Sequence, residues 1–309
     1  MPKKILVTGG AGFIGSHTAD LLISKGHEVI VLDNLSTGNK KNINQKAKFI
    51  HGDILNVDKY SKKLKNVDAV LHCAAQISVS SSLKNPVKDA NVNVLGSLKL
   101  LELCRKLGIK KFVFSSTAGV YGDIPKSKLP VVENYELNPQ NPYSIGKRTV
   151  EMYMDFYNKT YGIDCISLRY SNVYGPRQNY LGEAGVVTIF INQLLRNKKP
   201  TIFGNGKQTR DFVYVKDITE ANLKAIERKT SSKIMNIATG TQITINDLLY
   251  KIKKLMHKNK IKVIHKAERK GDIRFSSLNI GVAKKELKWS PRKKLGEGLK
   301  ETIVWFKGI

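Results

Sequence analysis

Short apolar runs rich in Val, Ile and Leu recur along the first half of the chain: KILVTGG (4–10), EVIVLDN (28–34), KFIHGD (48–53), DAVLHCAA (68–75), KKFVFSS (110–116) and DCISLRY (164–170). Each reads as a strand buried on both faces. Between them lie segments with helical amphipathic spacing, such as Ile14 to Lys25 and Val87 to Leu107. Strands alternating with crossover helices predict an α/β fold, a doubly wound parallel Rossmann sheet. Beyond about residue 175 the pattern becomes irregular, with short strands in PTIFG, RDFVYV and KIMNIA and helices near 217–228, 244–257 and 296–306. The expected division is a dinucleotide-binding domain over 1–175 and a smaller C-terminal substrate lobe over 176–309, with later segments able to return to the sheet.

Composition narrows the class. The chain has 309 residues, 41% hydrophobic and 25% charged, which suits a globular protein with a substantial core. No apolar run reaches membrane-spanning length, and MPKKILVTGG reads directly as strand and turn, so neither a membrane span nor a signal peptide is predicted. Cys73, Cys104 and Cys165 lie far apart in apolar contexts, which suits reduced thiols in the cytoplasm and no metal site. The net charge of +28 will attract polyanions, but the lysines are scattered rather than gathered into an arm or a nucleic-acid module. Non-specific, salt-sensitive nucleic-acid binding is the most this charge predicts.

TGGAGFIGS follows the first strand and opens the first helix. Gly9, Gly12 and Gly15 allow a tight turn, close approach of backbone to a pyrophosphate, and close helix packing. The helix N-terminus, at Phe13 and Ile14, would offer N–H donors and partial positive charge to the phosphates. Asp33 ends the second strand, where an acid accepts from a ribose 2′-hydroxyl and repels a 2′-phosphate. NAD is therefore favoured over NADP, although Lys40 and Lys41 lie close by. Asp53, in HGD, either contacts the adenine amine or caps the helix that follows.

In NPYSIGK, Tyr143 and Lys147 stand at i and i+4, neighbours on one helix face. An ammonium there could hold a phenol near its ionised form and so produce a base that works near neutral pH.

The chain resembles the extended short-chain dehydrogenase/reductase family, and within it the nucleotide-sugar 4-epimerases. The resemblance rests on TGGAGFIGSH, DNLSTG, GDI, HCAAQ, FSSTAGVYG, NPYSIGK, LRYSNVYGPRQ, RDFVYVKD and RKGDIRFSSLN, in that order. It implies that Tyr143 is the catalytic base, that Lys147 binds nicotinamide ribose and lowers the phenol pKa, and that Thr117 bonds the reacting hydroxyl. It extends the cofactor set to Asn34, Ser36, Thr37, Gly38, Ile54, Ala74, Ala75 and Asn93. For a UDP-sugar it implies Asn172, Val186, Thr201, Phe203, Arg210, Arg269, Asp272 and Ser276, the arginines clamping the diphosphate.

The expected reaction is oxidation of the sugar at carbon 4, rotation of the 4-keto sugar, and return of hydride to the opposite face. Dehydratases of the family carry an Asp-Glu pair just after the strand-five Thr and decarboxylases a Glu; here Ala118 follows Thr117. Without that acid, elimination lacks its proton donor. Ser276 stands where glucose-restricted relatives often carry Tyr, so the resemblance implies room for an N-acetyl group and action on UDP-GlcNAc as well as UDP-glucose. Ile77 departs from relatives that place a Lys beside nicotinamide. Family dimers pack through two long helices, and Leu98, Leu101, Val150, Met154 and Tyr157 form apolar stripes on the matching segments. A UDP-uronate 4-epimerase, a 4-reductase, and a non-catalytic NAD sensor or RNA-binding protein are the alternatives.

Overall fold

The computed structural model describes residues 1–179, 185–268 and 273–308. The strands are β1 (Lys4–Thr8), β2 (Glu28–Asp33), β3 (Lys48–His51), β4 (Ala69–His72), β5 (Lys111–Thr117), β6 (Asp164–Tyr170), β7 (Asn172–Tyr174), β8 (Thr201–Phe203), β9 (Thr209–Arg210), β10 (Phe212–Tyr214), β11 (Ile234–Ile237), β12 (Ile243–Thr244) and β13 (Ile264–Lys266). The α-helices are α1 (Phe13–Ser24), α2 (Val79–Lys84), α3 (Pro86–Ala90), α4 (Gly96–Leu107), α5 (Pro142–Tyr161), α6 (Val186–Leu195), α7 (Val215–Glu227), α8 (Ile245–Leu255), α9 (Gly281–Leu287) and α10 (Leu295–Lys307).

Seven strands form one parallel sheet in the order β11-β6-β5-β4-β1-β2-β3. Strand order reverses between β1 and β4, and the crevice at such a switch point is where these folds bind ligands. Helices α1, α7 and α9 cover one face through Leu22, Ala221 and Leu287, while α4 and α5 cover the other through Leu100, Val150 and Met154. A third core, in the later chain, joins α6, α8 and α10 around Phe190, Leu248 and Ile303.

Local sequence explains the long helix that carries the Tyr–Lys pair. Asn141 caps α5 by accepting from Ser144 N at 3.0 Å, and Pro142 starts it with a residue that needs no partner for a backbone N–H. Gly162 ends it in the left-handed conformation at φ 65°.

Three expectations change. KIMNIA does not stay with the small lobe: Ile234–Ile237 pairs in parallel with β6 and extends the main sheet. The segment 87–107 is not one uniform helix, because a π turn over Asn91–Leu95 separates α3 from α4. In that wider turn Asn93 donates to Gln76 O and accepts from Gln76 N. The apolar stripe expected at a dimer face packs inward instead: Leu101, Val150, Met154 and Tyr157 are buried under the sheet, and Leu98 lies partly buried against the same core. A different face of α5 exposes Ile145, Met152 and Phe156.

His72 ties the switch point together. Its Nδ1 meets Thr8 Oγ1 at 2.7 Å and its Nε2 meets Ser97 Oγ at 2.8 Å, so it joins β4 to β1 and α4. Burial, aided by Lys147, lowers its pKa from 6.5 to about 3. Below pH 6.5 the unfolded chain takes up a proton that the folded chain refuses. Stability from this group is therefore complete above pH 6.5 and declines as pH falls toward 3. At pH 5 the loss is expected to be about 2 kcal/mol. Urea unfolding at pH 7.5 and pH 5 checks this: His72→Asn should lose about 2 kcal/mol less than the parent between the two conditions. Equal losses would assign the acid sensitivity elsewhere.

Candidate active site

The C-terminal ends of β1, β2, β4 and β5, the start of α5, and residues from the later lobe enclose one cleft of about 2430 Å³. A single small-ligand pocket spans roughly 300–1,000 Å³, so this cleft has room for two sizeable ligands.

At one end the turn between β1 and α1 forms a backbone cradle. Gly9 has φ +69°, and a Cβ there would come within 2.6 Å of Ala74 N. A Cβ on Gly15 would strike Gly9 O. No side chain caps α1 at Gly12, so its first-turn N–H groups face the cleft as an anion site. Asp33 is buried; Oδ2 accepts from Ala11 N at 2.9 Å and Oδ1 from Leu35 N at 2.8 Å. Each oxygen keeps a lone pair to accept a ribose hydroxyl. Cradle, helix end and acid together fit NAD. Asn34, Ser36, Thr37, Gly38, Asp53, Ile54, Ala74 and Ala75 line the same end. Asp53 does cap: its Oδ1 accepts from Leu55 N, and its Oδ2 accepts from Asn34 Nδ2 at 2.8 Å. Asn93 is buried just behind the lining, its amide engaged with Gln76 and Asp89.

Thr117, Tyr143 and Lys147 all line the middle of the cleft, where the end of β5 faces the start of α5. Thr117 Oγ1 accepts from Gly119 N at 3.1 Å, which leaves its O–H to donate into the cleft. Lys147 Nζ donates to Ser115 O at 2.8 Å, lies 4.5 Å from the Phe114 ring centroid, and lies 5.7 Å from that of Tyr143. Burial pushes the Lys147 ammonium down to about 8, against the opposing pull of Cys73, Asp89 and Glu151. The expected lowering of Tyr143 by Lys147 is not what the protein's own groups produce. Burial raises the phenol to about 12, and Asp89 adds to the rise. Lys147 Nζ donates to the Ser115 backbone carbonyl and makes no hydrogen bond to the Tyr143 phenol among the described residues.

Behind the pair sits a buried polar network that the sequence reading missed. Glu151 lies eight residues after Tyr143, on the same helix face. Its Oε1 accepts from Ser116, Ser167 and Arg169 Nε, and its Oε2 accepts from Arg169 Nη2 at 2.7 Å. Burial would raise this carboxyl, but Arg169 outweighs it and holds Glu151 below the usual range. The i, i+4, i+8 spacing with Tyr143 and Lys147 was the available signal. Asp89, Gln76 and Trp305 also line the cleft, and nothing in their sequence neighbourhoods marked them.

Toward the lobe, Asn172, Arg210 and Ser276 line the cleft, with Ser276 buried. Arg210 Nη1 donates to Thr209 O at 2.8 Å. Val186, Thr201 and Phe203 stand outside the lining, because α6 and β8 pack against the lobe's own core and β13. Arg269 and Asp272 lie outside the described residues. Ala118 and Gly119 follow Thr117 in a short 3-10 turn, and no carboxylate stands there.

Residues 5–238 match the NAD dependent epimerase/dehydratase family. The chain belongs to that family, within the extended short-chain dehydrogenases/reductases. It is 48% identical to a putative UDP-glucose 4-epimerase of Methanocaldococcus jannaschii, over 98% of each chain. Its fold matches the crystal structure of UDP-glucose 4-epimerase from Thermotoga maritima with UDP-glucose (TM-score 0.95, 45% identity, 99% of each chain covered). It also matches UDP-N-acetylglucosamine 4-epimerase from Methanobrevibacter ruminantium (TM-score 0.94, 38% identity, 99% of each chain covered).

Glu151→Ala strands the Arg169 guanidinium in the interior and is expected to cost about 3–5 kcal/mol. Ser116→Ala, which removes one of several donors, is expected to cost about 1 kcal/mol. Chemical unfolding of both variants checks the ranking.

Proposed function

We propose that the protein is a UDP-hexose 4-epimerase with retained NAD, interconverting UDP-glucose with UDP-galactose and UDP-GlcNAc with UDP-GalNAc. The observation that carries this is that Thr117, Tyr143 and Lys147 line one long cleft, with Ala118-Gly119 where an eliminating enzyme needs an acid. The named relatives, two of them UDP-glucose 4-epimerases, support the same reading.

Bound NAD supplies a hydride acceptor and donor that each turnover regenerates. Tyr143 takes the proton of the sugar 4-hydroxyl as the carbonyl forms and returns it when hydride arrives on the other face. Thr117 holds the same oxygen through its O–H. Lys147 ties α5 to β5 through Ser115 O and binds the nicotinamide ribose. Tyr143, raised to about 12 by burial, would be lowered again by the positive charge of an oxidised nicotinamide bound beside it.

The lobe, residues 176–309 with β11 returned to the sheet, holds the nucleotide and sugar. Arg210 and Asn172 bind the diphosphate, with Arg269 and Asp272 completing the clamp and the ribose contact. Ser276 leaves space beside sugar carbon 2. The exposed apolar face of α5, with Ile145, Met152 and Phe156, supports a homodimer through that helix. The free thiols of Cys73, Cys104 and Cys165 support a reducing, cytoplasmic setting.

Proton NMR of the purified protein, with UDP-glucose and UDP-GlcNAc in separate tubes and no added NAD, tests the assignment. The galacto anomeric signal should grow in both tubes, and Tyr143→Phe should abolish it. No conversion of either sugar, even with NAD supplied, would overturn the reading. Ser276→Tyr should lower turnover of UDP-GlcNAc at least ~10-fold relative to UDP-glucose, by filling the space of the acetamido group. An unchanged ratio would remove Ser276 from the specificity argument.

A further inference from the structure

The reaction centre contains one buried acid that the reaction scheme does not use. Asp89, on α3, is 1% exposed. Its Oδ1 accepts from Gln76 Nε2 at 2.7 Å and from Asn93 Nδ2 at 3.0 Å. Gln76 and Asn93 are in turn joined through Gln76 N to Asn93 Oδ1, at 2.8 Å, and Asn93 Nδ2 to Gln76 O, at 2.9 Å. The three residues form a closed bracket that fixes the loop after β4 at the wall of the cleft. Both donors to the carboxylate are neutral amides. Its other oxygen, Oδ2, lies 3.6 Å from where a Cβ on Gly146 would stand. Gly146 sits between Tyr143 and Lys147 on α5, so the carboxylate packs against the turn of helix that carries the pair.

The other ionisable groups around the pair do not supply a net negative charge. From the end of β4, burial holds His72 near 3 and raises Cys73 to about 11, so both are neutral at physiological pH. From β6, the Tyr170 phenol is pushed upward by burial. From α5 itself, Glu151 is already paired with Arg169 at 2.7 Å. Asp89 alone faces the Lys147 ammonium without a cation of its own among the described residues.

We propose that Asp89 is a positioning residue and the counter-charge of the reaction centre, clamping the β4 loop to α5 while supplying the negative charge that buried Lys147 requires. This rests on the reading of Tyr143 and Lys147 as the reacting pair. A carboxylate raises the pKa of every neighbour, acid or base, because it favours the protonated form of each. Removing its charge must therefore lower both Lys147 and Tyr143. Activity needs Tyr143 able to ionise and Lys147 still protonated, so the whole pH window moves toward acid.

Asp89→Asn tests this, since it preserves the shape and an acceptor for both amides while removing the charge. Both limbs of the kcat/KM pH profile should move down by about one pH unit. Independently of turnover, tyrosine labelled with ¹³C at Cζ, with the Tyr143 signal assigned by its loss in Tyr143→Phe, should titrate lower in Asp89→Asn by a similar amount. If both limbs and the Tyr143 titration stay where they are in the parent, Asp89 is only a clamp and the inference falls. If the Tyr143 titration moves but no sugar nucleotide is epimerised by the parent, the counter-charge stands and the epimerase reading fails. Asp89→Ser carries the same test should the Asn variant not fold.

Discussion

Glu151 accepts hydrogen bonds from Ser116 on β5, from Ser167 and Arg169 on β6, and from Arg148 one turn back on its own helix. That buried ion pair sets the distance between α5 and the ends of two strands, and the reaction centre inherits its geometry from it. Lys147 and Tyr143 stand one and two turns up the same helix face, and Thr117 follows Ser116 directly. Shifting α5 by a fraction of a turn would break the pair and also move Tyr143 and Lys147 along the wall of the cleft that they share with Thr117. A hydrophobic replacement of the pair could fill the same volume, but it would lose the directional bonds that select one register.

Burial governs the chemistry as much as position does. The same exclusion of water that lowers Lys147 to about 8 raises Tyr143 to about 12, so burial drives the two values apart and favours the neutral form of each group. The phenol needs positive charge to become a base, and the protein's own cation is tethered to Ser115 O rather than to the phenolic oxygen. In the proposed reaction the missing positive charge would come from the oxidised cofactor, which would make Tyr143 most acidic when a hydride acceptor is in place. The exposed lysines that give the chain its +28 charge stand away from this logic, which is set by a few buried groups.

Much of this architecture was legible in the chain. The buried strands were readable because both faces of a parallel sheet are covered, so each strand is apolar nearly throughout. The glycine turn, Asp33 and the Tyr–Lys pair were readable because their functions depend on local spacing. Thr117 was named from the family resemblance of FSSTAGVYG, and its place at the end of β5 agrees with it. The stripe through Val150, Met154 and Tyr157 was a harder case, since a helix face turned to the sheet and one turned to a partner have the same composition. The strand at Ile234–Ile237 was read into the lobe because nothing in a short apolar run says which sheet it joins.

The sequence by itself determined the elements and the chemistry that repeats at fixed spacing along one helix or one turn. Tertiary structure alone decided which distant groups meet: Asp89 with Gln76, Asn93 and the face of Gly146, Arg169 with Glu151, and Ser276 with Arg210 along one cleft. The physical reason is that a charged residue on a helix looks the same in sequence whether water or protein surrounds it. Its cost and its use are set by burial and by partners contributed from elsewhere in the chain.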